Sequence, residues 1–381
     1  VWILIFVCMF SMPLLVAVLH FRMRKGQILK IRQDYVKNAR YFGRSFSALV
    51  EKALPEMKNG RIMLSRQEKV LEIDGNQEFV QPDIEDLVIA RNAIFCPQQE
   101  DLHFQKEIYS EKDALFVKEN IRLRAVYSKK RLLFGNKIRL LRWADAEHAV
   151  AVYDECDLGE RVSSGEQLVI GFDNIFRSLY APVIRLGQRP EEPDRFMDGR
   201  DPRIFRMPVM NSHEYNRHYI DDDMVTEGGT VPYTIISRGD IKVIEDIILQ
   251  GDIHSDGAVR IMENASVLGN IFAENDILLE KNATVLGNIF TQGNIIFEEG
   301  ASAGQPHKII SVVARGTITF YGGNYVYGYV VSEGGGKILK SDREISGEYC
   351  FPREPVHEEK ITFRDLSEYE NVDFQGFRGD I

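Results

Sequence analysis

Three groups of residues in this 381-residue chain could do chemistry, and their spacing decides what each could do. His254 stands between Asp252 and Asp256, and a histidine beside a carboxylate is the pattern of a general base. His213 and His218 precede the acidic run Asp221, Asp222 and Asp223, but this spacing matches no standard metal site. The four cysteines, Cys8, Cys96, Cys156 and Cys350, form no C-x-x-C pair. No G-x-x-x-x-G-K-[ST] segment is present to cradle a phosphate, and Gly334 to Gly336 reads as a turn.

The element that would carry His254 is a repeat. From Ile235 an aliphatic residue returns at every sixth position, through Ile241, Ile247, Ile253, Val259 and Ala265 to Ala301. A second ladder runs two residues behind, from Val243 and Leu249 through Val267 and Val285 to Ala303. Asn264 to Phe272 (NASVLGNIF) recurs 18 residues later as Asn282 to Phe290 (NATVLGNIF). A period of six suits neither a helix face nor simple strand alternation. It fits short strands with two inward residues each, turning three corners per 18-residue coil of a β-solenoid. Gly251-Asp252, Gly269-Asn270 and Gly287-Asn288 mark one corner, and Gly239-Asp240, Asn275-Asp276 and Gly293-Asn294 a second. These residue types tolerate a left-handed backbone.

On such a coil His254 faces outward, where a turn histidine is solvated, so a hexapeptide-type acyltransferase is the enzyme reading set aside and no catalytic residue is assigned. The outward positions also stack apolar pairs, Leu268 over Leu286, Phe272 over Phe290 and Leu278 over Ile296. A solvated face would be polar. The six residues are therefore candidates for self-association, unless an arm, the tail or a partner covers them.

The same hexad appears earlier, at Leu132, Ile138, Ala144, Val150, Cys156, Val162 and Leu168, echoed by Phe134, Leu140, Ala146, Val152, Leu158 and Ile170. Its first coil is expected at Leu115, Val117, Ile121 and Leu123. Cys156 on a core position reads as a buried thiol. Residues 126–187 thus form a first, degenerate β-helix block and 231–304 a regular one. Between them 188–230, with four prolines and no period, is an irregular arm or linker. The stretch 61–125 reads as a mixed β-rich segment, 305–343 as a distorted terminal coil or cap, and 344–381 as a charged tail.

Val1 to Phe21 is uncharged and has the ~20-residue length of a membrane-spanning helix. Arg22, Arg24, Lys25, Lys30 and Arg32 follow it, which places the body of the protein on the cytoplasmic side. Residues 22–60 read as a basic amphipathic juxtamembrane helix whose apolar face is Ile28, Ile31, Tyr35, Phe42, Phe46 and Leu49. The net charge of −10 argues against nucleic acid as a partner. No cofactor and no metal are expected. The RGD and N-x-[ST] tripeptides at 238–240, 378–380, 264–266 and 282–284 arise from corner chemistry or chance.

The Gly-Asp-Ile, Val-Leu-Gly-Asn-Ile and Gly-Asn-Ile turns at 18-residue spacing, with Ala at every third inward position, resemble the bactofilins, polymer-forming bacterial cytoskeletal proteins. The likeness is strongest over Gly239 to Gly304. The first block, with Leu141-Arg142-Trp143-Ala144-Asp145-Ala146 and Leu179-Tyr180-Ala181-Pro182, is similar to longer membrane-anchored relatives. The resemblance implies an all-β, right-handed β-helix that polymerises end to end without nucleotide. It also implies a single-pass anchor in the bacterial inner membrane, and partners among itself, that membrane and unidentified envelope or morphogenetic proteins. Each solenoid end exposes unpaired backbone groups, the template for such a polymer. The split repeat and long flanks depart from the compact family pattern.

Overall fold

The protein is described by a computed structural model, which covers residues 2, 11, 12, 38–79, 81–97, 101–190 and 230–340. The segments expected at 1–21 and 22–37, most of the arm (191–229) and the tail from 341 lie outside the described residues. So do His213, His218, Asp221 to Asp223, Arg22, Arg24, Lys25, Lys30 and Arg32. Among the described residues no helix is long and apolar enough to cross a membrane. Two compact units divide the chain, Val1–Phe42 and Gly43–Ile381, and the solenoid belongs wholly to the second.

The fold is all-β, a β-solenoid of about twelve coils with 18-residue spacing. In its regular block, Thr230 to Leu339, each coil lays down three short strands that pair in parallel with the next coil. The first wall runs Thr230–Val231, Ile248–Leu249, Ser266–Val267, Thr284–Val285 and Ser302–Ala303. The second runs Ile235–Ser237, Ile253–Ser255, Ile271–Ala273 and Ile289–Thr291. The third runs Ile241–Val243, Val259–Ile261, Ile277–Leu279 and Ile295–Phe297. The hexad residues fill the interior. From Ile253 to Ala301 all are fully buried, and only Ile235, in the first coil, is partly open. Where the phase breaks at Gly304, five extra residues loop out and Ile289 pairs with Val312, 23 residues on. The coil then closes again, Ile310–Ala314 and Ile318–Tyr321 taking the second and third walls and Asn324–Leu339 pairing along all three.

The corners divide their chemistry in a way the residue types alone do not reveal. Between Ile235 and Ala303 left-handed backbone is confined to the corner between third and first walls, at Asp246, Asn264 and Asn282 (each φ 58°) and Gly300 (φ 76°). At the other corners the glycines serve close approach. A Cβ on Gly269 would lie 2.3 Å from the Gly251 carbonyl oxygen, and one on Gly287 2.3 Å from that of Gly269. The residues after them form a side-chain ladder. Asp252 Oδ1 accepts the Asn270 backbone N–H (2.6 Å), Asn270 Oδ1 accepts that of Asn288 (2.9 Å), and Asn288 Oδ1 that of Ser311 (2.9 Å).

The first block, Gln67 to Leu186, is the same solenoid with uneven spacing. Val126 pairs with Ala144 and Ala144 with Val162 at 18, but Val88 pairs with Ile108 at 20 and Ala93 with Ala114 at 21. The coils thus begin inside the stretch expected to be mixed. One expected phase is also corrected. Ala114 and Phe116, not Leu115 and Val117, point inward, pairing with Leu132 and Phe134, and Val117 is exposed. A one-residue slip in a strand moves every side chain to the other face.

Helix α1, Tyr41–Ala53, caps the outer face of this block. Phe46 meets the rings of Tyr109 and Trp143 edge-on at 6.4 and 5.7 Å, and Val50 is fully buried in the same satellite core. The inward stripe is Gly43, Phe46, Ser47 and Val50. Leu49, assigned to the apolar face from its spacing, is exposed, as is Phe42. The helix is turned because Gly43 must sit on Asp145, where a Cβ would come within 2.4 Å. Aromatic contacts on the solenoid then select Phe46 and Val50.

The two blocks meet end to end. Strand Asn174–Leu186 of the first pairs antiparallel with Asn324–Leu339 of the second, from Asn174↔Ile338 to Leu186↔Asn324. Each is the last coil of its block. Two coils of one hand brought together by their C-terminal ends run in opposite directions, so their ladder is antiparallel. The Tyr180 and Tyr329 rings lie 4.5 Å apart across the joint, and Phe176 lies over Gly336, where a Cβ would be 2.1 Å from its ring.

Candidate functional site

Two surfaces carry the self-association expectation, the outward apolar ladder and the solenoid ends. On the second wall the Phe272 and Phe290 rings stack face to face at 5.4 Å, and the His254 ring stacks on Phe272 at 4.8 Å. Strand pairing dictates this, because His254, Phe272 and Phe290 occupy the same register position in successive coils. Val313 continues the column below Phe290, and Asp256, Glu274, Gln292, Arg315 and Glu333 rim a shallow groove along it. Phe272 is 36% exposed.

The other candidates separate. Leu268 and Leu278 are half-buried, but Leu286 and Ile296 are only 6% and 3% exposed. They stack as expected, Leu278 on Ile296, yet Leu286 and Ile296 offer almost no surface to a partner. Alternation fixes which way a side chain points and says nothing of what lies over it.

His254 lies beside Phe272 on the second wall. Asp252 is committed to the Asn270 backbone and side-chain amide, and the imidazole is held by a ring face. The Cys156 thiol is fully buried, its Sγ donating to the Gly135 carbonyl at 3.1 Å, and burial pushes its pKa up to about 12. Such a thiol is inert. Among the described residues no group of three or more His, Cys, Asp or Glu could hold a metal ion.

The block ends are of two kinds. The two C-terminal end coils cap each other at the joint. At the start of the first block, Arg61–Met63 folds back antiparallel on Gln67–Lys69. At the start of the second, Thr230 to Val243 pairs with the coil after it, and no described strand lies on its other side. Ile235 and Ile241 give their N–H groups to Asp252 and Ala258, so the backbones of the residues that follow them, Ile236 and Lys242, face the other side. Ile236 is exposed there. This end of the block had no mark of its own in the hexad pattern, since an end coil and a middle coil carry the same residues.

No family model matches the chain, and neither the curated proteins nor the solved structures contain a match.

Proposed function

We propose that this chain is a self-associating β-helical scaffold without catalytic activity, akin to the bactofilins. In this reading it is anchored by residues 1–21 in a bacterial inner membrane, with its body in the cytoplasm. It polymerises without nucleotide and organises envelope or cell-shape machinery. The observation that carries the proposal is the outer edge of the strands Ile235–Ser237 and Ile241–Val243, where among the described residues no strand pairs with the backbones of Ile236 and Lys242 and a second copy could add one. The joint between the two blocks supports it, because it is a working example within one chain of two coil ends mating. The Phe272–Phe290 column is the candidate for lateral contact between polymers.

Electron microscopy of the full chain in detergent, without nucleotide and over a range of concentrations, tests the reading. Filaments of fixed width are expected. Lys242→Pro and Ile236→Pro remove N–H groups on the open side only, so each should abolish filaments without unfolding the coil. Phe272→Asp with Phe290→Asp should leave single filaments but no bundles. Discrete particles at every concentration would favour a second reading, a capped scaffold that binds a protein partner. That reading draws on the mutual capping of two of the four block ends.

A further inference from the structure

The groove along the second wall is built from two columns of outward side chains. Its floor runs Ile236, His254, Phe272, Phe290, Val313 and Val331, one residue per coil in fixed register. Two positions further along each coil its rim runs Arg238, Asp256, Glu274, Gln292, Arg315 and Glu333, all exposed. Strand alternation puts rim and floor on the same outer face. Arg315 Nη1 donates to the Gln292 side-chain oxygen one coil away at 3.4 Å, so the rim keeps the register of the floor. In charge the rim reads plus, minus, minus, neutral, plus, minus.

A sequence of charges in this order is complementary to its own reverse. When two copies face each other across a two-fold axis lying along the strands, floor meets floor, rim meets rim, and the order of the coils is reversed. With that axis between the coils of Phe272 and Phe290, Asp256 meets Arg315, Glu274 meets Gln292 and Arg238 meets Glu333, each pair occurring twice. Every charge then faces an opposite charge or a neutral amide. A slip of one coil destroys this. With the axis on Gln292, Asp256 faces Glu333, and with the axis on Glu274, Arg238 faces Arg315. Exposed opposite charges return little, but like charges set against each other are costly, so the rim selects the register. The floor selects the same one. Phe272 of each copy lands on Phe290 of the other, so that four rings, already stacked in pairs at 5.4 Å, form the centre. An apolar centre within a polar rim is the anatomy of a protein interface. We propose, resting on the lateral contact assigned above to the Phe272–Phe290 column, that a second copy of this chain docks on the second wall in this antiparallel two-fold register. Such a contact closes on itself, so it joins solenoids side by side in pairs and does not lengthen them.

Charge exchange tests the register, in the full chain in detergent carrying Lys242→Pro so that filaments do not intervene. Sedimentation velocity should show a dimer. Its dissociation constant should rise at least about tenfold in Asp256→Arg, which sets like charge against Arg315, and equally in Arg315→Asp, which sets like charge against Asp256. An equal mixture of the two variants should dimerise as the parent chain does, because every contact between the two kinds of copy again joins opposite charges. Within one copy positions 256 and 315 lie three coils apart, about 14 Å, so recovery in the mixture comes from contacts between copies. A parent chain that stays monomeric, single variants that dimerise as it does, or a mixture that stays monomeric overturns the proposal. Filaments in the chain without Lys242→Pro, with no effect of the exchange on the dimer, would reject this register alone. Recovery in the mixture, with no filaments in the unaltered chain, would reject the end-to-end polymer alone.

Discussion

Two glycine-like positions in one coil should respond in opposite ways to substitution. Gly287 has no room for a Cβ because the Gly269 carbonyl is backbone and cannot yield. Gly287→Ala should cost on the order of 1–3 kcal/mol, read as a lowered denaturant midpoint. Asn282 holds a left-handed backbone (φ 58°). Asn282→Gly should be nearly neutral, and Asn282→Ala should cost about 1 kcal/mol. Glu298 makes a second residue-scale test. Its carboxyl is held above the usual range by burial and by Glu280, so its stability contribution is fullest below the unfolded value of about 4.3 and is lost as pH rises through the folded one. Glu298→Gln should therefore raise the Tm at pH 7 and lose that advantage at pH 4. Equal gains at both pH values would mean that burial of the charge is not what the substitution relieves.

Helix α1 is the element whose attachment depends on charge. The Glu51 carboxylate is bonded by Lys129 Nζ at 2.9 Å, by the Ser47 hydroxyl at 3.0 Å and by the Tyr109 hydroxyl at 3.3 Å. The Lys129 bond lowers its pKa most, against a partial desolvation penalty. A lowered carboxylate stabilises above the unfolded pKa, and the contribution disappears as pH falls through the folded one. Both side chains of the Glu51–Lys129 pair are over 40% exposed, so solvent and salt reduce the effect. Trp143, covered by Phe46, reports on docking. Its emission should shift red below about pH 4.3 in the native chain, and Glu51→Gln should show the same emission at pH 7 and pH 4. The spacing of Phe42, Phe46 and Leu49 announced an amphipathic helix, but the solenoid surface chose which stripe faces inward.

At the scale of the molecule, the joint between the blocks decides how many free ends a self-associating chain would have. Phe176 occupies the space a side chain at Gly336 would need and lies 6.2 Å from Phe320 in the core. Gly336→Val should displace that ring and open the antiparallel ladder. Hydrogen exchange in 174–186 and 324–339 should then rise well above that of the middle coils 253–297, which keep parallel partners on both sides. Unchanged protection would mean that the ladder is held by its backbone alone.

Residues Ile235 to Ala303 declared their fold because every coil there repeats one geometric problem and solves it with the same residue types. Six-residue spacing is then a direct image of three walls per coil, and it named the buried residues of both hexad ladders. The first coils escaped notice where bulges alter the spacing, at Ile73/Gly75, Phe104/Glu107 and Leu123/Ala125, because one added residue reverses which side chains point inward. The aromatic column on the second wall was legible in the 18-residue copy. The burial of Leu286 and Ile296 was not, since outward direction is local and cover is not. The antiparallel joint left no trace in the sequence either. Parallel stacking is set coil by coil and writes itself as a period, whereas the meeting of two C-terminal ends occurs once, between strands whose first residues, Asn174 and Asn324, lie 150 positions apart, and only the folded chain brings them together.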